Sequence, residues 1–347
     1  MTEKSGRIAS LDGLRAISIL MVVMGHSIME ADSNPAMGAF RHLPIHQLGA
    51  YQYFGVRVFF VISGFLITTL LLKERQTTGT ISLKDFYIRR AYRILPASYA
   101  VILVVAVVCR SRVHPMDVLS TVFYVSNFNS HMGWPLSHMW SLSVEEQFYL
   151  LWPLLLNRFF RHRYKILAAA IIVAPFFRAF SGVLGNRGAE ANWFPSAMDF
   201  LAIGCLLALF RDRLSLWSHR LDKLIIPIAA ATLLMPLFHY PPGVQPLLVL
   251  TLVGFGIAFC VDNCIRKAYW ILNWKPVVWL GTLSYSIYLV QMPFFTPGST
   301  SWLTRFPWNL LCILPAAMAC HYLIEKPFLR LRAIRAARKR EVAIQAT

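Results

Sequence analysis

Charge is what this sequence has little of. Of its 347 residues only 14% are Asp, Glu, Lys or Arg, where a water-soluble chain carries about 25%. That scarcity excludes an ordinary soluble enzyme, and the 57% of hydrophobic residues must be solvated by lipid. Acidic residues are the rarer sign, 16 against 34 Lys and Arg, for a formal net charge of +18. The six cysteines (Cys109, Cys205, Cys260, Cys264, Cys312 and Cys320) lie in or beside apolar runs. Their spacing is neither that of a metal site nor that of a secreted disulfide framework, so no metal is expected. Cys260 and Cys264 share a helix face as small packing residues. There is no internal repeat of fixed period and no low-complexity linker, so the chain reads as one membrane domain.

What the sequence does have is a series of apolar runs near the roughly 20 residues that a spanning helix needs. Ten spans are expected, at 13–31, 53–73, 94–110, 146–157, 166–182, 196–210, 224–240, 245–262, 277–295 and 307–325. The fourth is short and needs tilt or help from its flanks. The first resembles a signal peptide but lacks a small-residue cleavage site, so it is expected to stay as an anchor. The fold class is therefore an all-α polytopic membrane protein, with a transmembrane domain over 1–328 and a basic tail over 329–347. Lys and Arg report its orientation, because cytoplasmic loops are enriched in them. With ten crossings, 26 of them fall on the side of the two termini, and six (Arg41, Arg110, Arg112, Arg178, Arg187 and Arg305) on the other. Both termini are expected in the cytoplasm. The basic excess is then topology, and it does not imply a nucleic-acid partner.

Some residues are left over. In "LDGLRAISILMVVMGHS" (11–27), Arg15 and His26 are eleven residues apart. At 100° per residue they return to within about 20° of one helix face, roughly 16 Å apart along the axis. Ionisable groups at membrane depth are costly and usually face a cavity. The bland alternatives are an arginine snorkelling to headgroups and pairing with Asp12, and a histidine making one interhelical contact. In "FYIRRAYRILPASY" (86–99), Arg89, Arg90 and Arg93 precede the third span, with Arg89 and Arg93 on one face. Pro96 fits an early helical turn. Three guanidiniums suit a phosphorylated cytoplasmic ligand, since arginine grips phosphate bidentately; anchoring to anionic lipid is the competing reading.

In "SHMWSLSVEEQFYLLWP" (137–153), Ser143 and Glu146 read as a capping box. That leaves Glu145, His138 and Trp140 without a task, and the paired carboxylates Glu145 and Glu146 suit proton transfer. In "GVRVFFVISGFLITTLL" (55–71), Arg57 opens a span, and Ser63–Gly64 reads as close helix packing. Trp134, Trp140, Trp193 and Tyr240 are candidates to stack on sugar rings.

These blocks, with "LSYSIYLVQMP" (283–293) and the terminal "EKPF" (325–328), occur in the order of the membrane acyltransferase-3 family, which the chain resembles over residues 8–328. The resemblance implies an O-acyltransferase that takes an acetyl group from cytoplasmic acetyl-CoA. The acceptor it implies is a hydroxyl of an envelope or exported carbohydrate, and the location a bacterial cytoplasmic membrane. The family's Arg-x10-His pattern falls on Arg15 and His26, its arginine pattern on Arg90 and Arg93 with Arg89 adjoining, and its Glu-Glu block on Ser141 to Glu146. On this reading Arg15, Arg89, Arg90 and Arg93 hold coenzyme A, and His26 is the general base, a role that a group titrating near neutrality suits. Glu145 or Glu146 orients His26 or passes its proton on, and Arg57 stabilises an oxyanion or binds the sugar. Where many relatives end the ninth-span motif in histidine, this chain has Gln291. The alternatives are an antibiotic or lipid acceptor, and a non-enzymatic transporter; the latter would predict paired repeats with broken helices.

Overall fold

The computed structural model describes residues 8–33, 49, 51–183, 192–238, 245–299 and 301–345. Arg41, Arg187 and Tyr240, named above, lie outside these residues, as do the basic residues Lys4 and Arg7 of the N-terminus and the end of the seventh expected span. The described regular structure is helical: α1 (Ala9–Ser33), α2 (Tyr51–Thr78), α3 (Leu83–Val108), α4 (Pro115–Val122), α5 (Met139–Arg158) and α6 (Arg163–Val183). There follow α7 (Phe194–Leu221), α8 (Ile225–Leu234), α9 (Leu250–Lys267), α10 (Lys275–Val290), α11 (Trp308–Ala319) and α12 (Lys326–Gln345). A π-helical turn, Cys320–Glu325, joins α11 to α12.

Every expected span falls on a helix, but the helices are not all alike. Among the described residues, six stretches are long and apolar enough to cross a membrane: Ala9–Met29, Tyr51–Thr78, Leu83–Val108, Phe194–Arg211, Leu247–Lys267 and Trp308–Arg338. The outward faces are greasy, with Val108 74% and Ile226 78% exposed; such faces suit hydrocarbon. α12, which holds the basic tail residues, continues from the π turn and packs against α3.

The centre is built by α1, α2, α7 and α10, where α2 lies on α7 and α1 lies on both α2 and α10. Close approach explains the glycines at the crossing of α2 and α7. A Cβ on Gly64 would run into the Leu201 carbonyl, and one on Gly204 into the Val61 carbonyl. Small residues that let backbones touch are the usual means of helix association in lipid, which offers no hydrophobic drive between helices. Gly204→Leu is expected to force α2 and α7 apart and to cost about 1–3 kcal/mol or more by overpacking; thermal unfolding in detergent would register this as a lower midpoint, and an unchanged midpoint would contradict the close crossing.

Two local expectations need correction. The capping box at Ser143 and Glu146 does not form, because α5 starts earlier, at Met139, with His138 as its N-cap. Ser143 is instead hydrogen-bonded to Ser126, hydroxyl to hydroxyl, at 2.7 Å. Pro96 is not in a first turn either, since α3 begins at Leu83 and runs through the proline. Ser82 caps that earlier start, accepting from the Asp85 amide. The polar arginine stretch is thus the first half of one helix, and its side chains are held in fixed relation to the apolar half.

Candidate active site

Two cavities adjoin at the centre. The first, of about 90 Å³, is lined by Arg15 of α1, Ser63 of α2, Arg90 and Arg93 of α3, and Glu145 and Tyr149 of α5. The second, of about 210 Å³, is lined by His26, Gln52, Tyr53, Trp134, His138 and Trp140. Val56 and Tyr288 belong to both walls. Tyr288 is clamped between them: its hydroxyl donates to the His138 carbonyl and accepts from Ser141 Oγ, each at 2.5 Å. Arg15 and His26 therefore do share a face of α1, and that face opens into a different cavity at each end.

In the arginine cavity, Glu145 Oε1 accepts from Ser63 Oγ at 2.7 Å, and Tyr149 Oη lies 3.1 Å from Ser63 Oγ and 3.4 Å from Glu145 Oε2. Arg90 lies over the Tyr149 ring, 4.6 Å from its centroid. Arg15 makes a loose 3.6 Å pair with Asp12. The fork of α3 arginines differs from the spacing expectation: Arg90 and Arg93 line the cavity, whereas Arg89 points away and pairs with Glu74 at 2.8 Å. Helical geometry allows this, since positions i and i+3 are neighbours as much as i and i+4. Arg332 of α12 adds a guanidinium to the field around Arg89 and Arg93, and Arg335 of that helix reaches the Tyr92 hydroxyl at 3.2 Å.

In the histidine cavity, His26 is 9% exposed and its Nδ1 lies 3.5 Å from Gln291 Oε1. Its ring sits 6.5 Å from that of Phe295. The glutamates expected to orient it are elsewhere: Glu145 belongs to the arginine cavity, and Glu146 lines neither cavity. Gln291 is the side chain that meets His26. Arg57 also lines neither cavity. It stacks 5.6 Å from the Phe200 centroid, with Arg178 on the same ring at 5.9 Å. An oxyanion or sugar contact from Arg57 therefore has no support in its placement. Of the aromatic candidates, Trp134 and Trp140 line the cavity, while Trp193 packs on Phe128 at 5.6 Å.

Ser141 lies in the block that the resemblance marks, but sequence reasoning gave no chemical part to Ser63, Tyr149 and Tyr288, which also bring hydroxyls to the two cavities. Ser63 was visible only as a small residue before Gly64, and the tyrosines look like ordinary membrane aromatics. No cluster of metal-ligating side chains occurs among the described residues.

Over nearly the whole chain, residues 8–326, the sequence fits the family described as an acyltransferase domain. The chain belongs to the acyltransferase-3 family. Among the chain's relatives is the putative peptidoglycan O-acetyltransferase YrhL of Bacillus subtilis, 30% identical over 94% of this chain and 55% of that protein. The peptidoglycan O-acetyltransferase OatA of Listeria monocytogenes is 30% identical over 83% of this chain and 49% of its own length. The O-acetyltransferase OatA of Staphylococcus aureus is 29% identical over 82% and 50%. The chain thus spans about half the length of the curated relatives it matches. No solved structure matches it.

Proposed function

We propose that this acyltransferase moves an acetyl group from acetyl-CoA on the cytoplasmic side to a hydroxyl of a carbohydrate on the outer side of a bacterial cytoplasmic membrane. The observation that carries the reading is the pair of adjoining cavities, one lined by arginines and the other by His26, with Arg15 and His26 on one helix between them. The names of the relatives make a glycan the favoured acceptor. The charge asymmetry supports ten crossings with both termini in the cytoplasm.

Arg15, Arg90 and Arg93 are placed to hold the phosphates of the donor through charge-assisted hydrogen bonds. The thioester then reaches toward Val56 and Tyr288. His26 Nδ1–H faces Gln291 Oε1 in the tautomer that leaves Nε2 free to accept a proton. Nε2 takes the proton of the acceptor hydroxyl, whose oxygen bonds to the acetyl carbonyl carbon. The carbon–sulfur bond breaks, and the thiolate leaves with the proton from His26 as free coenzyme A. The products are an O-acetyl ester and a thiol, with no redox change.

The test is reconstitution in vesicles with acetyl-CoA on one side and a glycan acceptor on the other. Mass spectrometry should show the acetyl ester only with acetyl-CoA on the cytoplasmic face; acetylation with equal rate from either face would contradict the sidedness. Arg90→Ala and Arg93→Ala should each weaken coenzyme A binding by about 1–3 kcal/mol with the fold intact. Calorimetry that finds unchanged affinity in both would assign these arginines to lipid headgroups.

A further inference from the structure

A third hollow, of about 720 Å³, is larger than either cavity of the site and has no task in this mechanism. It is a groove between α3 and the stretch from α11 into the π turn, and most of its wall is apolar, with Val101, Val105 and Ala316 among its residues. Val104, Val108 and Leu323 of the same wall are exposed, so the groove opens sideways on a face that suits hydrocarbon. Along α3 its lining runs from Ala100 to Val108, roughly 12 Å at 1.5 Å per residue. Water has almost nothing to bond to there, so an apolar chain is the occupant that fits.

One end of the groove is different. Ser111, Arg112, Thr296, Ser299 and Ser301 line it. Beside it stand the exposed Trp302 and Trp308, edge to face at 6.0 Å. Tryptophans of this kind mark the level of the headgroups. On the ten-span reading this is the outer surface, where Lys and Arg are scarce. Of the six arginines that reading leaves outside, Arg41 and Arg187 lie beyond the described residues and Arg178 is tied to Asp199. The other three gather at this mouth: Arg112 lines it, Arg110 lies between the lining residues Cys109 and Ser111, and Arg305 follows Thr304. Arg112 Nη1 donates to the Pro297 carbonyl at 2.8 Å, which fixes the guanidinium in place. Its other N–H groups have no partner among the described residues. A held guanidinium at the head of an apolar groove matches a phosphate at the head of an apolar chain.

The same mouth adjoins the histidine cavity. Trp134, a wall of that cavity, donates its indole N–H to the Phe295 carbonyl at 2.9 Å, two residues from Pro297. Two residues of extended chain span about 7 Å, within reach of a sugar joined to a phosphate. Gly133, next to Trp134, is pressed on the Arg112 backbone, since a Cβ there would run into the Arg112 carbonyl. The turn between the two hollows faces both: Met292 lines the histidine cavity, and Pro293 and Phe294 line the groove.

We propose that the groove is a binding site for the acceptor in lipid-linked form: the apolar chain lies between α3 and α11, its phosphate meets Arg112, and its sugar passes over the Met292–Phe295 turn into the histidine cavity. This rests on the acetyl-transfer reading and adds the form in which the sugar is presented.

The test uses the full chain in phosphatidylcholine nanodiscs with acetyl-CoA. Three probe acceptors separate the parts: farnesyl-diphospho-N-acetylglucosamine has chain and phosphates, dodecyl N-acetylglucosaminide has a chain alone, and chitotetraose has neither. KM should be at least about tenfold lower for the first than for chitotetraose. Arg112→Gln should raise KM for the diphosphate acceptor about tenfold, as loss of a charge-assisted hydrogen bond does, and leave the other two within about twofold. Ala319→Phe fills the groove from an exposed position; it should raise KM for both chain-bearing acceptors and not for chitotetraose. Equal KM for the three acceptors in the parent overturns the proposal, and so does a rise for all three alike in Arg112→Gln, the mark of a displaced Pro297 turn. Heat protection by farnesyl diphosphate, which bears no sugar, is the independent arm. Protection of the parent that is lost in Arg112→Gln upholds the phosphate-headed chain site even where no acetyl is transferred, in which case the transfer reading fails by itself. A parent that farnesyl diphosphate does not protect overturns the site. Equal protection by dioleoylphosphatidylglycerol would make the groove a seat for ordinary anionic lipid and overturn its role for the acceptor.

Discussion

His26→Gln is expected to insert, fold and bind coenzyme A as the parent does, and to transfer acetyl at least about a hundredfold more slowly. Glutamine matches histidine in polarity and roughly in reach, so it can keep a hydrogen bond to Gln291. What it cannot do is accept a proton at neutral pH. General-base removal typically costs about 10²–10⁴-fold in rate, or some 3–5 kcal/mol of barrier. The loss should fall on turnover and not on donor affinity, because the arginines that would bind the donor line the other cavity. Stopped-time assays with acetyl-CoA and a glycan acceptor, run beside coenzyme A titrations, separate the two. Near-parental transfer would make His26 an interhelical contact and send the search for a base to Glu145.

The largest expected loss of stability is at Asp199. Its carboxylate is fully buried and takes both arms of Arg178, Nη1 and Nη2, at 2.9 Å each. Thr251 donates to it at 2.8 Å, and the Arg178 guanidinium reaches Thr251 and the Ser196 carbonyl as well. One ion pair therefore ties α6, α7 and α9 together. Breaking a buried pair by removing one partner costs about 3–5 kcal/mol, since the remaining charge loses its counter-ion in a low dielectric. Asp199→Ala should show that loss in thermal unfolding, and Asp199→Asn, which keeps an acceptor, a smaller one. A midpoint within the error of the parent's for Asp199→Ala would mean that Arg178 finds another acceptor.

The helices were legible because hydropathy and length report burial in lipid directly. The face shared by Arg15 and His26 was legible because 100° per residue is a strict rule. Which side chain meets which across helices was not, because such contacts depend on rotation and tilt that no local pattern encodes. That is why Glu145 was assigned to His26 and is found against Ser63, and why Arg57 was given a chemical role and is found on Phe200. The capping box failed for a related reason: Ser-x-x-Glu is a genuine start signal, but the chain already enters the helix at Met139, and tertiary contact gives Ser143 a different partner.

The wall made by Val56 and Tyr288 has an electrical consequence. On the proposed reading, in which the two cavities open to opposite faces of the membrane, most of a transmembrane voltage would fall across the little matter between them. A unit charge crossing there would meet about 2.3 kcal/mol for every 100 mV. In the proposed transfer the phosphates of the donor stay with the arginines, and the proton of the acceptor hydroxyl returns with the thiolate. An acyl group exchanged for a proton across that thin barrier moves no net charge, so the proposed transfer is expected to run at one pace in an energised membrane and a depolarised one.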